Sequence, residues 1–108
     1  MLSGYRLMWM IVMFDLPVVE DSDRKAATGF RNFLLDEGFE MAQFSVNMRF
    51  CSGQEQARTF SRRIKEALPI GGKVDVLFFT DKQYENILSF RGKIQSPPPK
   101  NPDQYVLF

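Results

Sequence analysis

The sequence predicts an α+β domain whose elements run strand, helix, two strands, helix, strand, followed by a tail. Three observations carry that prediction. An unbroken apolar run from Met8 to Phe14 stops at the carboxylate Asp15. The stretch Phe39 to Phe50 alternates with a period of two. Between and after them, two stretches repeat apolar residues at helical spacing and end in capping and stop residues.

The first run is far short of the roughly 20 apolar residues needed to cross a bilayer. Its length suits a strand buried on both faces. Pro17 cannot donate to a sheet ladder and biases Leu16 toward extended backbone, so the strand should stop at Asp15 or Leu16. Asp15 then sits where a central strand leaves the core. A carboxylate there needs a cation, hydrogen-bond donors or water.

A loop follows, and then a helix from about Asp23 to Glu37, with Ser22 or Asp21 as its cap. Ala26, Phe30, Phe33 and Leu34 form its expected core face. Gly38 suits a left-handed stop. In the alternating stretch, Ala42, Phe44, Val46, Met48 and Phe50 are expected to face the core. Met41, Gln43, Ser45, Asn47 and Arg49 then point the other way. The stretch is long for one strand, which predicts a bend or bulge near Ser45.

Ser52 and Glu55 form a capping-box pattern at the start of a second helix. Ala57, Phe60, Ile64, Ala67 and Leu68 make its apolar stripe, and Pro69 ends it. After the Gly71-Gly72 turn, Lys73 to Thr80 is the last core strand, and Thr80 to Glu85 reads as a cap and a short helix. Ile87, Leu88 and Phe90 are expected to pack as well. This order is the ferredoxin-like βαββαβ pattern. Such a sheet carries helices on one face only, yet the first strand is apolar on both. Packing of two sheets in a homodimer is the simplest cover.

The 108 residues suffice for one small domain, here 1–91, and residues 92–108 form a Pro-rich linker ending in a β-prone segment. Tyr105, Val106, Leu107 and Phe108 are expected to add a strand to a sheet edge, in the same subunit or a partner. Eleven Phe imply a dense core or an apolar surface that buries on oligomerisation. With a net charge of +1, any nucleic-acid binding must come from local patches. The absence of His excludes Ser-His-Asp and Cys-His catalysis, and the lone Cys51 excludes an internal disulfide. No signal-peptide pattern or membrane span is expected, and a cytoplasmic protein is the default reading.

Several of these segments together resemble a known family. The strand ending Phe14-Asp15-Leu16-Pro17, the helix opening near Arg24-Lys25, and Gln43-Phe44-Ser45-Val46 are similar to the small CRISPR-associated adaptation proteins of the Cas-two family. Thr80-Asp81-Lys82-Gln83-Tyr84 and Gln104-Tyr105-Val106-Leu107-Phe108 resemble its type II branch. The resemblance implies a ferredoxin-like homodimer whose tails complete the partner's sheet. It also implies action beside the Cas-one integrase in spacer acquisition. A magnesium-dependent endonuclease activity on RNA or double-stranded DNA is implied too, with Asp15 as catalytic residue and metal ligand. Asn47 stands where the family commonly has an aromatic residue, so no stacking role is assigned to it.

Hard carboxylate oxygens suit Mg2+, and one carboxylate per chain would act best when two copies share the ion. The alternative for Asp15 is to accept backbone donors in the Leu16-Pro17 turn. Gln43 and Ser45 are read as dimer or positioning contacts, since no base is available to make Ser45 a nucleophile. Arg24, Lys25 and Arg31 on the first helix, and Arg58, Arg62, Arg63 and Lys65 on the second, are candidate phosphate contacts. An ordinary solvated helix face is the competing reading of these charges. The competing function class is a non-enzymatic ferredoxin-like interaction or regulatory module.

Overall fold

The computed structural model describes residues 8–93. Within them the order is β1 (Met8–Asp15), α1 (Asp21–Asp36), β2 (Glu40–Gln43), β3 (Val46–Cys51), α2 (Gln54–Glu66), β4 (Lys73–Thr80) and α3 (Asp81–Glu85). The sheet runs β2-β3-β1-β4, and every pairing is antiparallel. This is the ferredoxin-like arrangement, with the most apolar strand at the centre. The predicted strand docked from Tyr105, Val106, Leu107 and Phe108 lies outside the described residues.

Met10, Val12 and Phe14 of β1 are buried beneath α1 and α2. They pack with Phe30 and Leu34 of α1, Phe39, Cys51, and Ala57, Phe60 and Ile64 of α2. The ring of Phe14 meets Phe30 edge-on at 5.4 Å, and Phe39 meets Phe60 at 6.0 Å. Leu34 is completely buried. Truncating a buried Leu loses transfer energy and leaves a cavity. Leu34→Ala should therefore destabilise the fold by about 2–5 kcal/mol, measured by chemical denaturation.

Four expectations about local structure are corrected. α1 begins two residues early, at Asp21, because Glu20 rather than Ser22 or Asp21 is the N-cap and forms a capping box with Asp23. Ala27, not Ala26, reaches the core, on the same helix face as Phe30 and Leu34. α2 starts from Gly53 with no side-chain cap; instead the Ser52 amide donates to Gln56 Oε1 at 2.8 Å, so the Ser52–Glu55 box does not form. Leu88 and Phe90 do not pack: they are 79% and 88% exposed, and Ile87 is exposed too.

The largest correction concerns β3, whose two faces are the reverse of the expectation. Asn47, Arg49 and Cys51 lie opposite Val12, Met10 and Met8 on the helix side. Val46, Met48 and Phe50 lie opposite Met13, Ile11 and Trp9 on the other side. The bend expected near Ser45 is present. Ser45 has a φ of 62° in the turn, and the β2–β3 register shifts between Met41 and Gln43. The shift puts Gln43 on the face of Val46, whereas Met41 and Asn47 share the helix side, so the faces of β3 follow from its register against β1. Phe44, expected in the core, is left 86% exposed at the turn.

Polar residues on the helix side are accommodated in two ways. Arg49 lays its guanidinium 4.2 Å over the Phe60 ring, so its stem covers core surface. Asn47 is fully buried, with both amide atoms lacking a hydrogen-bond partner among the described residues. Burial pushes the Cys51 thiol up, with the nearby Arg49 charge opposing. A buried thiol held in its neutral form is a core residue and not a nucleophile.

Candidate functional site at the Asp15 end of the open sheet face

Because Met10, Val12 and Phe14 face the helices, Trp9, Ile11, Met13 and Asp15 must face the other way. Directly opposed residues in an antiparallel pair share a face. β3 thus adds Val46, Met48 and Phe50 to this second face, and β4 adds Leu77 and Phe79. The result is a nearly continuous apolar surface with neither α1 nor α2 on it. The expectation that both faces of the first strand are apolar is met. The face is larger than the sequence implied, because the reversal of β3 contributes three further apolar side chains.

This face changes character at the end of β1. Asp15 lies opposite Lys73, and Met13 lies opposite Asp75. Lys73 Nζ is 3.5 Å from Asp75 Oδ2. Asp15 therefore has Lys73 as its cross-strand neighbour, and the Lys73 ammonium pairs with a second carboxylate, Asp75, one row away. Asp75 was missed in the sequence reading. Its signal was there: it shares the period of Lys73, Leu77 and Phe79, which places it on the same face as Asp15.

The backbone around Asp15 is tightly set. Gly72 has a φ of +76°, and a Cβ at that position would sit 2.6 Å from the Asp15 carbonyl oxygen and 2.8 Å from Leu16 Cδ2. Only a residue without a side chain fits there. On the other flank, the Phe14 amide donates to the Ser45 carbonyl at 3.0 Å. Ser45 thus contributes through its backbone to positioning β1 one residue before Asp15. Gln43 lies on the same row as Val46, Met13 and Asp75, exposed on the open face. Gln43 and Ser45 do come together with the Asp15 end of the sheet.

The basic candidates divide into two groups. The Arg24 guanidinium donates to the carbonyls of Val18 and Val19 at 2.9 and 3.0 Å and pairs with Asp21, so it ties down the loop between β1 and α1. Arg63 pairs with Glu37 at 2.9 Å, joining α2 to the end of α1. Arg31 has a buried Nε and lies 5.7 Å from the centre of the Phe14 ring. Lys25, Arg58, Arg62 and Lys65 are exposed and enter no ion pair among the described residues. All of these sit on the helix layer, across the sheet from Asp15. One chain does not bring the basic residues and Asp15 onto one surface.

Among the described residues, no group of three or more His, Cys, Asp or Glu side chains is placed to hold a metal ion. The donors at this end are Asp15 and Asp75, with the Lys73 ammonium paired to Asp75. Magnesium needs only one or two protein carboxylates and fills its remaining positions with water and phosphate oxygens. An exposed Asp15 at the rim of a sheet fits that demand and does not fit a closed all-protein cage. No helix among the described residues is long and apolar enough to cross a membrane.

Comparison with known proteins agrees with this architecture. The family model described as CRISPR associated protein Cas2 matches residues 8–87. A protein of Paracidovorax avenae named CRISPR-associated endoribonuclease Cas2 is 61% identical over 108 residues, covering 100% of both chains. One of the same name from Flavobacterium psychrophilum is 43% identical, covering 99% of this chain and 93% of its own. A solved crystal structure of Cas2 superposes with a TM-score of 0.58 at 23% identity, covering 84% of this chain and 93% of that one, and supports the fold. The chain belongs to the CRISPR associated protein Cas2 family.

Proposed function

We propose that this chain acts in CRISPR adaptation as a homodimer that positions nucleic acid beside the Cas-one integrase, and that it cleaves RNA or double-stranded DNA with Mg2+ held at Asp15. The observation that carries the reading is the apolar open face that ends in Asp15, Lys73 and Asp75. Such a face is costly to leave in water, and a second copy would cover it. The names of the relatives, CRISPR-associated endoribonucleases, support the nuclease part.

In this reading Asp15 would hold the ion, and Lys73 supplies positive charge next to it for a phosphate oxygen. Bound Mg2+ would supply Lewis-acid polarisation of the phosphodiester and a more acidic water. Gly72 and Ser45 hold the strand end so that the Asp15 carboxylate projects from the rim. Among the described residues β4 is an edge strand of eight residues, and that edge suits the added strand expected from Tyr105 to Phe108. The cytoplasm is the matching compartment.

The direct test is cleavage of RNA and of duplex DNA, with and without Mg2+, on material confirmed as dimer by sedimentation. Cutting that needs the metal supports the nuclease. Its absence with both substrates removes that part and leaves the scaffold.

Nucleic-acid contact is assigned to Lys25, Arg58 and Arg62, because Arg24, Arg31 and Arg63 are engaged within the fold. Phosphate contacts release counterions, so affinity falls as salt rises. Replacing the three by alanine should flatten the dependence of log K on log salt by roughly one for each lost contact. Anisotropy titrations with duplex DNA at several salt concentrations measure this, and an unchanged slope removes these residues from the interface.

A further inference from the structure

β3 carries a polar and an apolar set of side chains, and the fold turns the polar set inward. Asn47, Arg49 and Cys51 face the helices, while Val46, Met48 and Phe50 face the open side. That choice has a cost. Asn47 is fully buried with neither amide atom hydrogen-bonded among the described residues, and Arg49 Nε is buried in the same condition. A buried polar group without a partner destabilises the arrangement that holds it. Two sets of contacts offset this. Arg49 lies over Phe60, and Phe50 meets Trp9 edge-on at 5.3 Å, with Trp9 stacked in turn on Tyr84 of α3.

β2 holds one spare residue. Glu40 pairs with Met48 and Met41 with Asn47, but Gln43 pairs with Val46, so the register steps by one across Ala42. An extra residue of this kind is a β-bulge. If Ala42 is drawn into the ladder, the turn at Phe44-Ser45 keeps its two residues and β3 advances one position toward the Asp15 end. Met41 then opposes Met48. Against β1, Phe50 comes opposite Met10, Met48 opposite Val12 and Val46 opposite Phe14, all on the helix side. A one-residue slip carries every side chain of a strand to its other face. At the far end, the start of α2 at Gly53 has no side-chain cap and can yield the residue that the advance requires.

We propose that the β2–β3 hairpin is a two-register device: the observed register, and one displaced by a single residue in which the Ala42 bulge is gone and Val46, Met48 and Phe50 lie under the helices. The slip remakes the surface beside Asp15. Asn47 comes opposite Met13 and Arg49 opposite Ile11, so the open face gains an amide and a guanidinium in place of apolar side chains. The Ser45 carbonyl also leaves the Phe14 amide, which it holds at 3.0 Å in the observed register. The observed register is thus the one that ties the end of β1 in place and keeps the open face apolar. Two packings of one sequence that differ little in free energy make such a switch. The device does not depend on the nuclease reading.

Disulfide trapping in a Cys51→Ser background tests it. Ile11→Cys with Met48→Cys reports the observed register, and Val12→Cys with Met48→Cys reports the displaced one. Directly opposed residues of antiparallel strands are close enough to bridge, whereas Val12 and Met48 lie on opposite faces in the observed register. Both pairs should close in native buffer. Adding Asn47→Leu removes the cost of the buried amide and should slow closure of the Val12–Met48 pair about tenfold. A Val12–Met48 pair that stays reduced while Ile11–Met48 closes overturns the proposal. Should a double-cysteine variant not fold, Cys51 of the otherwise unchanged chain reads the same event. It is fully buried here and turns to the open face in the displaced register. In dilute protein, its reaction with Ellman's reagent should depend on urea less steeply than global unfolding does, and should also slow with Asn47→Leu. Labelling that follows global unfolding, or that Asn47→Leu leaves unchanged, overturns the second register.

Discussion

Asp15→Ala is expected to abolish Mg2+-dependent cleavage while the dimer and the fold persist. The side chain projects from the rim of the sheet, exposed and outside the core, so its removal leaves no cavity. A bound metal contributes several kcal/mol of transition-state charge stabilisation. Loss of its principal carboxylate should therefore slow cutting by roughly a thousandfold. Asp75→Asn is the informative companion. It frees Lys73 from its 3.5 Å ion pair without touching Asp15, and so separates a ligand role from a charge-balancing one. Rates on RNA and duplex DNA, with sedimentation on the same samples, decide the matter. Cleavage by Asp15→Ala at the wild-type rate would take this residue out of the mechanism.

Gly72→Ala should have the largest structural effect at the site. The position has a φ of +76°, and the new methyl would lie 2.6 Å from the Asp15 carbonyl and 3.0 Å from Leu16 Cα, both backbone atoms that cannot swing aside. Left-handed backbone costs a non-glycine residue about 1–2 kcal/mol. Overpacking adds about 1–3 kcal/mol. The strain is relieved by pushing the end of β1 outward, so the variant should lose stability and activity together although Asp15 is intact. Gly29→Ala is the control. Nothing lies within 4 Å of its added methyl, and it sits inside α1. It should stabilise by up to about 1 kcal/mol through helix propensity. Thermal unfolding of both variants, with cleavage rates, checks the pair; equal behaviour would mean that Gly72 has no special role.

Much of the fold was legible because its signals are local. The apolar run into Asp15 and Pro17 marked the central strand and its end, and β1 does stop at Asp15. The Gly71-Gly72 turn has the positive φ angles that its glycines imply, and Thr80 caps α3 as expected. Where two local solutions competed, the sequence was less decisive. Glu20 and Asp23 outcompeted Ser22 and Asp21 at the start of α1, and Gln56 replaced Ser52 and Glu55 as the side chain closing the start of α2.

The candidate site was half legible. Asp15 stood out because a carboxylate ending an apolar strand is costly unless it has a partner. Lys73 and Asp75 did not, because they lie some sixty residues away along the chain and reach Asp15 only through the β1–β4 register. The basic residues were visible as a set. Which of them are engaged depended on contacts to Val18, Val19, Glu37 and Phe14 that no spacing rule contains.

By itself, the sequence determined the order of elements, the central position of β1 and the prominence of Asp15, all consequences of apolar periodicity, caps and breakers acting over a few residues. Only the tertiary structure decided which face of β3 meets the core, since that depends on its register against the distant strand β1. It also decided that Asp15, Lys73 and Asp75 share one rim and that α3 lies over Trp9. The physical reason is the same in each case. Strand register and helix docking are set by contacts between segments distant in sequence, and such contacts leave no periodic trace in either segment alone.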